Sequence, residues 1–374
     1  MILKRKIYKK LLEWKKECRG KKALLIEGAR RIGKSTICEE FGKNEYESYL
    51  LIDFAKKDKE VEGYFEKYLN DLDTFFMLLQ THFGTKLTER NSLIIFDEVQ
   101  MFPQARAAIK YLVADGRYDY IETGSLISIR ENVKNIVIPS EERHINMYPL
   151  DFEEFAIALE EDLLVEYVRI IIKIRTNIYA HNQAMLLFHQ YMLVGGMPMP
   201  VVTFIESKKD FTEADREKRD ILKLYREDIM KIDAKYRSKV LAIYDQIPGF
   251  LSQHEKRVVF KKLQDGSYAD QYEETFFWLS DSMISNECFL CNDPNVGLSL
   301  NETRSYVKCY MGDTGLLVSH AFDENELLED EVYKQILAGK LQINEGMLYE
   351  NAIAQMLVAN GHKLYFYTHL TICL

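Results

Sequence analysis

Short apolar runs alternate with longer, helix-patterned stretches over the first part of this chain. The runs are ALLIE from Ala23 to Glu27, YLLIDF from Tyr49 to Phe54, SLIIF from Ser92 to Phe96, YDYIE from Tyr118 to Glu122, and a last one from Ile145 to Tyr148, stopped by Pro149. Continuous apolar runs of this length suit parallel strands covered on both faces, and strands that alternate with helices make a doubly wound α/β sheet. Ahead of them, Ile7, Leu11, Leu12 and Trp14 recur at helical spacing among lysines, which predicts a basic helix over residues 1–20 docked on that core. The sheet and its helices are expected to fill residues 21–156.

Beyond residue 156 the pattern turns helical. Leu163 to Ile174 is apolar but interrupted by Glu166, Arg169 and Lys173, as in an amphipathic helix. Gly195-Gly196-Met197-Pro198 breaks the helical region, and the glycine pair predicts close helix packing or a hinge. Residues 157–234 are therefore read as a helical domain. Residues 235–318 mix short helices and strands in an order compatible with a winged helix, and 319–374 read as a partial α/β domain. No apolar run is long enough to cross a membrane, and the basic N-terminus lacks the apolar core of a secretion signal, so a cytoplasmic protein without a membrane partner is expected.

Gly28 to Ser35 reads GARRIGKS, which fits G-x-x-x-x-G-K-S/T between a strand and a helix. Glycines at 28 and 33 let main-chain N–H groups approach phosphate oxygens, and the helix that follows presents its positive end to the same anion. The loop Gly28, Ala29, Arg30, Arg31, Ile32, Gly33, Lys34, Ser35 and Thr36 is thus the expected cradle for ATP. Lys34 would reach the β- and γ-phosphates, and the Ser35 hydroxyl would bind Mg²⁺.

Asp97 and Glu98 follow the third run at once, at the strand end where open α/β sheets bind ligands. Asp97 is placed at the metal and Glu98 as the base that takes a proton from attacking water. Thr123 or Ser125, ending the next strand, would orient that water or sense the γ-phosphate. A carboxylate beside the metal ligand favours water over another acceptor, and no N-K-x-D string is present to read guanine.

With these residues in place the chain resembles a prokaryotic AAA+-type P-loop ATPase family that carries a C-terminal domain of unknown function. The matching strings are GARRIGKST from Gly28, LIIFDEVQ from Leu93, TGS from Thr123, YPLDFEEF from Tyr148, YMLVGGMP from Tyr191, LYREDI from Leu224, YMGDTGLL from Tyr310 and NEGMLYENAIAQML from Asn344. The resemblance implies ATP hydrolysis in an α/β P-loop NTPase core, a parallel sheet flanked by helices. A helical and winged-helix-like region and a partial α/β C-terminal domain would follow. It further implies an arginine acting across a subunit interface of a homo-oligomer, with Arg143 the first candidate and Arg30 the second. Relatives continue beyond the segment like Leu364 to Tyr367 into a restriction-endonuclease-like acid and lysine pattern. That pattern has no counterpart here, so Glu350 alone is not expected to hold a metal, no nuclease activity is expected, and the apolar tail THLTICL is expected to be poorly ordered.

The net charge of −9 argues against a surface devoted to a polyanion. Lys256, Arg257, Lys261 and Lys262 form a modest cluster in the winged-helix-like region, amid acids, so DNA or a protein are both open as its partner. Cys288 and Cys291 make one C-x-x-C without further ligands, which reads as reduced structural cysteine rather than zinc.

Overall fold

The computed structural model describes residues 1–124, 140–174, 181–263, 269–295, 297–323, 327–337 and 344–368. The chain divides into two compact units, Arg5–Tyr148 and Met1–Lys4 with Pro149–Leu374.

The first unit is a five-stranded, all-parallel sheet. Its strands are β1 (Ala23–Gly28), β2 (Ser48–Asp53), β3 (Ser92–Asp97), β4 (Asp119–Gly124) and β5 (Glu142–Met147), in the order β2-β3-β4-β1-β5. Strands β1, β3 and β4 are buried at every position, as continuous apolar runs require. Helices α1 (Ile7–Cys18), α2 (Lys34–Glu45), α3 (Lys59–Tyr68), α4 (Leu72–Phe83) and α5 (Pro103–Asp115) accompany them. Phe54, Phe65, Phe75, Phe76, Phe96 and Phe102 form one aromatic core with edge-to-face and stacked rings. The N-terminal helix is part of this unit: Ile7, Leu11 and Trp14 are buried, with the Trp14 ring 6.4 Å from Phe41.

The fifth strand begins three residues before the apolar run that announced it, because Glu142, Arg143 and His144 belong to it. Their polarity hid the strand, and its reason is a buried charge cluster. Arg106 of α5 grips Glu142 through two hydrogen bonds of 3.0 and 2.7 Å, both side chains almost wholly covered. The His144 ring lies 3.4 Å from both Glu142 and Glu27. Burial would raise the Glu142 carboxyl, but bonds from His144 and Arg106 outweigh it and hold it below its ordinary value. Burial pushes the carboxyl of its neighbour Glu122 well above its ordinary value.

The second unit joins segments that the sequence divides at residues 156, 234 and 318. This unit takes up the chain at Pro149, and the segment after β5 is fastened within it. Leu150 donates its N–H to the Gly196 carbonyl (2.7 Å) and accepts from the Tyr191 hydroxyl (2.9 Å), and Asp151 opens the next helix in a capping box with Glu154. Gly195 and Gly196 are close-packing positions: a Cβ at Gly195 would lie 2.2 Å from the Asp313 carboxylate, and one at Gly196 2.1 Å from the Leu150 carbonyl oxygen.

Helices Ala234–Leu251, Phe260–Leu263 and Glu273–Asp281 precede the antiparallel hairpin of β6 (Ser285–Cys291) and β7 (Glu302–Met311). β8 (Leu364–Phe366) joins β6 in parallel, so the strand of the tail completes the hairpin's sheet in the order β7-β6-β8 rather than starting a separate domain. Residues 369–374 of the apolar tail lie outside the described residues. Among the described residues no helix is long and apolar enough to cross a membrane.

The charge cluster makes a pH prediction. Hydrogen bonds to Glu142 and Glu27 raise His144 from 6.5 to about 9. A raised histidine stabilises the fold fully below its unfolded value and loses that contribution as pH climbs through its folded one. Urea midpoints should therefore fall between about pH 6.5 and 9, and His144→Gln should flatten that slope. An unchanged slope in the variant would contradict the cluster's role.

Candidate functional site: a phosphate loop facing two strand ends

Sheet order decides the site. β1 carries the loop and lies between β4 and β5, with β3 beyond β4, so the C-terminal ends of β1, β4 and β3 stand side by side. This edge is where ligands bind in open α/β sheets.

The loop has the geometry its glycines permit. Gly33 adopts φ 89° and caps α2, which starts at Lys34 and turns its first N–H groups toward the loop. A Cβ on Gly28 would stand 2.7 Å from the Met147 carbonyl oxygen, so β5 presses on the loop's first residue. Arg31 also takes a left-handed φ of 67°. Arg30, Arg31 and Thr36 are exposed, while Ala29 and Ile32 are buried beneath the loop.

Lys34 is buried, and its ammonium donates to the carbonyls of Gly28 (2.9 Å) and Ala29 (3.1 Å). Burial pushes its pKa down, with Glu98 and Asp97 pulling the other way. The ammonium thus lies folded against its own loop beside two carboxylates. The Ser35 hydroxyl is 2.8 Å from both oxygens of Asp97, joining the start of α2 to the end of β3. Thr123, at the end of β4, donates its hydroxyl to the same carboxylate and accepts the Glu98 N–H at 3.3 Å.

Glu98 itself holds a left-handed φ of 52°, costly for a residue with a side chain, and its carboxylate is gripped by the Gln100 amide. Gln100 was not singled out in the sequence, although it stands in the same LIIFDEVQ string.

The structure therefore brings Lys34, Ser35, Asp97, Glu98 and Thr123 together. Ser125 lies outside the described residues. Arg143 is not brought to the loop. It pairs with Leu24 in the sheet, four residues or about 13 Å of strand from Gly28, and its guanidinium is held by Glu17 at 2.6 Å. Glu350, in the other unit, is held by Lys256 (3.0 Å), Lys308 (3.4 Å) and the Tyr310 hydroxyl (3.0 Å). Cys288 and Cys291 are free thiols on β6.

The donor set suits Mg²⁺, which takes one or two protein oxygens together with phosphate and water rather than a full protein cage. A hydroxyl and a carboxylate already in contact, Ser35 and Asp97, supply those oxygens. Among the described residues no group of three or more His, Cys, Asp and Glu gathers to hold a metal alone.

Residues 20–156 match the family described as an AAA domain, and residues 185–326 match a domain of unknown function. No curated protein matches the chain. Among solved structures, a Walker-type ATPase of Pyrococcus abyssi is 14% identical over 85% of this chain and 96% of its own, with a TM-score of 0.47. The Orc1 protein of Aeropyrum pernix, solved in complex with DNA, is 10% identical over 87% of this chain and 93% of its own, with a TM-score of 0.29. Both likenesses are distant. Residues 20–156 thus match an AAA domain on a P-loop NTPase fold, and the region after them matches a domain of unknown function.

Gly28→Ala should force the loop away from Met147. We expect a loss of about 1–3 kcal/mol of stability in urea titrations together with weaker nucleotide binding. A variant with wild-type midpoint and affinity would contradict the packing described.

Proposed function

We propose that the protein binds ATP with Mg²⁺ at the Gly28–Thr36 loop and hydrolyses it, using the cycle to drive a conformational switch. The supporting observation is the convergence of Lys34, Ser35, Asp97, Glu98 and Thr123 on one sheet edge.

The loop's N–H groups and the start of α2 would cradle the β- and γ-phosphates. Lys34, having only loop carbonyls to leave, would swing its ammonium onto the γ-phosphate oxygens as charge builds there. Ser35 and Asp97 would hold Mg²⁺, which when bound neutralises charge across the β- and γ-oxygens. Glu98 would accept the proton of the attacking water. Thr123, tied both to Asp97 and to the Glu98 amide, would fix the base relative to the metal ligand and so report on the γ-phosphate. Because that residue links β3 to β4, loss of the γ-phosphate would be felt at both strand ends, and this is the basis for the switch.

The helix-helix-hairpin region is proposed as a winged-helix-like protein-contact module. Its third helix, Glu273–Asp281, carries Glu273, Glu274 and Asp281 and no base, so a phosphate backbone would be repelled from it. Two of the four nearby bases are already matched by acids, Lys256 by Glu350 and Arg257 by Glu255. Arg143, paired with Glu17 at the surface, and Arg30, exposed in the loop, are the candidates for an arginine acting between subunits of a homo-oligomer.

Phosphate release should fall by about 10²-fold or more in both Lys34→Ala and Glu98→Gln. Glu98→Gln should still bind ATP, measured with a fluorescent analogue. Equal turnover by the wild type and both variants would reject the assignment.

A further inference from the structure

Charge is strongly segregated along this chain. The first 22 residues hold ten lysines and arginines against two glutamates, a surplus of eight. The whole carries −9, so everything after residue 22 carries −17.

The fold sorts these bases into two kinds. Two of them turn inward: Arg5 donates to the carbonyls of Tyr148 (2.6 Å) and Ile32 (3.3 Å), and Lys15 donates to the Glu45 carbonyl and covers the Tyr46 ring at 3.7 Å. Lys9, Lys10, Lys16, Arg19, Lys21 and Lys22 are exposed. On α1, Lys9 and Lys16 are seven positions apart and stand opposite the buried face of Ile7, Leu11 and Trp14, so the helix offers two bases about 10.5 Å apart along its axis, with exposed Glu13 between them.

The geometry points to this face of α1 as a docking surface for the phosphate backbone of a nucleic acid. A duplex presents one negative charge per about 1.7 Å of its axis, and exposed lysines on a helix seated on the core can meet such phosphates without reading sequence. A membrane surface fits less well. A helix that lies in lipid buries its Leu and Trp there, whereas Leu11 and Trp14 are already fully spent on the core and the Trp14 indole N–H is bonded to the Lys22 carbonyl at 3.0 Å. The surface is also close to the nucleotide site, since Arg5, just before α1, reaches the Ile32 carbonyl within the phosphate loop. It does not depend on ATP turnover.

Fluorescence anisotropy with a labelled mixed-sequence duplex and the full chain tests this. Four phosphate contacts should give a slope of log affinity against log salt of about −3.6. Lys9→Glu/Lys10→Glu/Lys16→Glu should weaken binding at least about tenfold and reduce that slope, while melting temperature and basal ATPase stay as in the wild type. The arginine version of the same triple variant should retain binding, and Lys261→Glu/Lys262→Glu should leave it unaffected. Wild-type affinity in the triple glutamate variant, no duplex binding at low salt, or tighter capture by phosphatidylserine vesicles than by duplex would each overturn the inference.

Discussion

One carboxylate, Asp97, ties the loop-bearing edge of the sheet together. It accepts from Ser35 at the start of α2 and from Thr123 at the end of β4, while its own strand lies between β2 and β4. Asp97 is almost fully covered, and a buried carboxylate that loses a donor costs about 1–3 kcal/mol. The two hydroxyls therefore fix the spacing of three elements before any ligand arrives. In the function proposed, a metal held by Ser35 and Asp97 would replace this contact.

Lys34 and Glu98 are constrained in a related way. The ammonium is buried among its loop's carbonyls, where burial weakens its hold on the proton, and Glu98 sits on a left-handed backbone held by Thr123 and Gln100. Both groups are satisfied by weak or local partners that a triphosphate and its water would replace. The second unit is organised differently, around buried acids that hold helices: Asp313 accepts the Gly196 and Leu316 N–H groups, and Asp215 accepts from Ser319, Tyr333, Arg219 and the Leu328 N–H. Its polar side chains are spent on architecture.

What the sequence disclosed depended on how local the chemistry is. The loop and the Asp97–Glu98 pair are strings of adjacent residues, so they could be read directly, and three of the apolar runs became strands buried throughout. The fifth strand could not be bounded correctly, since Glu142 and His144 look like a surface turn until Arg106, thirty-six residues earlier in the chain, is placed beside them. Parallel register sets Arg143 near the start of β5, where Glu17 holds it, a placement that its position in the sequence alone does not give. In the second unit the close approach of Gly195 and Gly196 was readable as packing. Its single sheet was not, because β8 pairs with a strand more than seventy residues away. Helix ends there are also set by the fold, since the helix Ala234–Leu251 runs through Pro248 before it stops.

The most direct test is a crystal structure of the Glu98→Gln protein grown with ATP and Mg²⁺. The account predicts the triphosphate against Gly28–Thr36, the Lys34 ammonium moved from the Gly28 and Ala29 carbonyls to phosphate oxygen, and a metal about 2.1 Å from the Ser35 hydroxyl. Nucleotide bound elsewhere, with the Ser35–Asp97 contact and the Lys34 bonds unchanged, would contradict it.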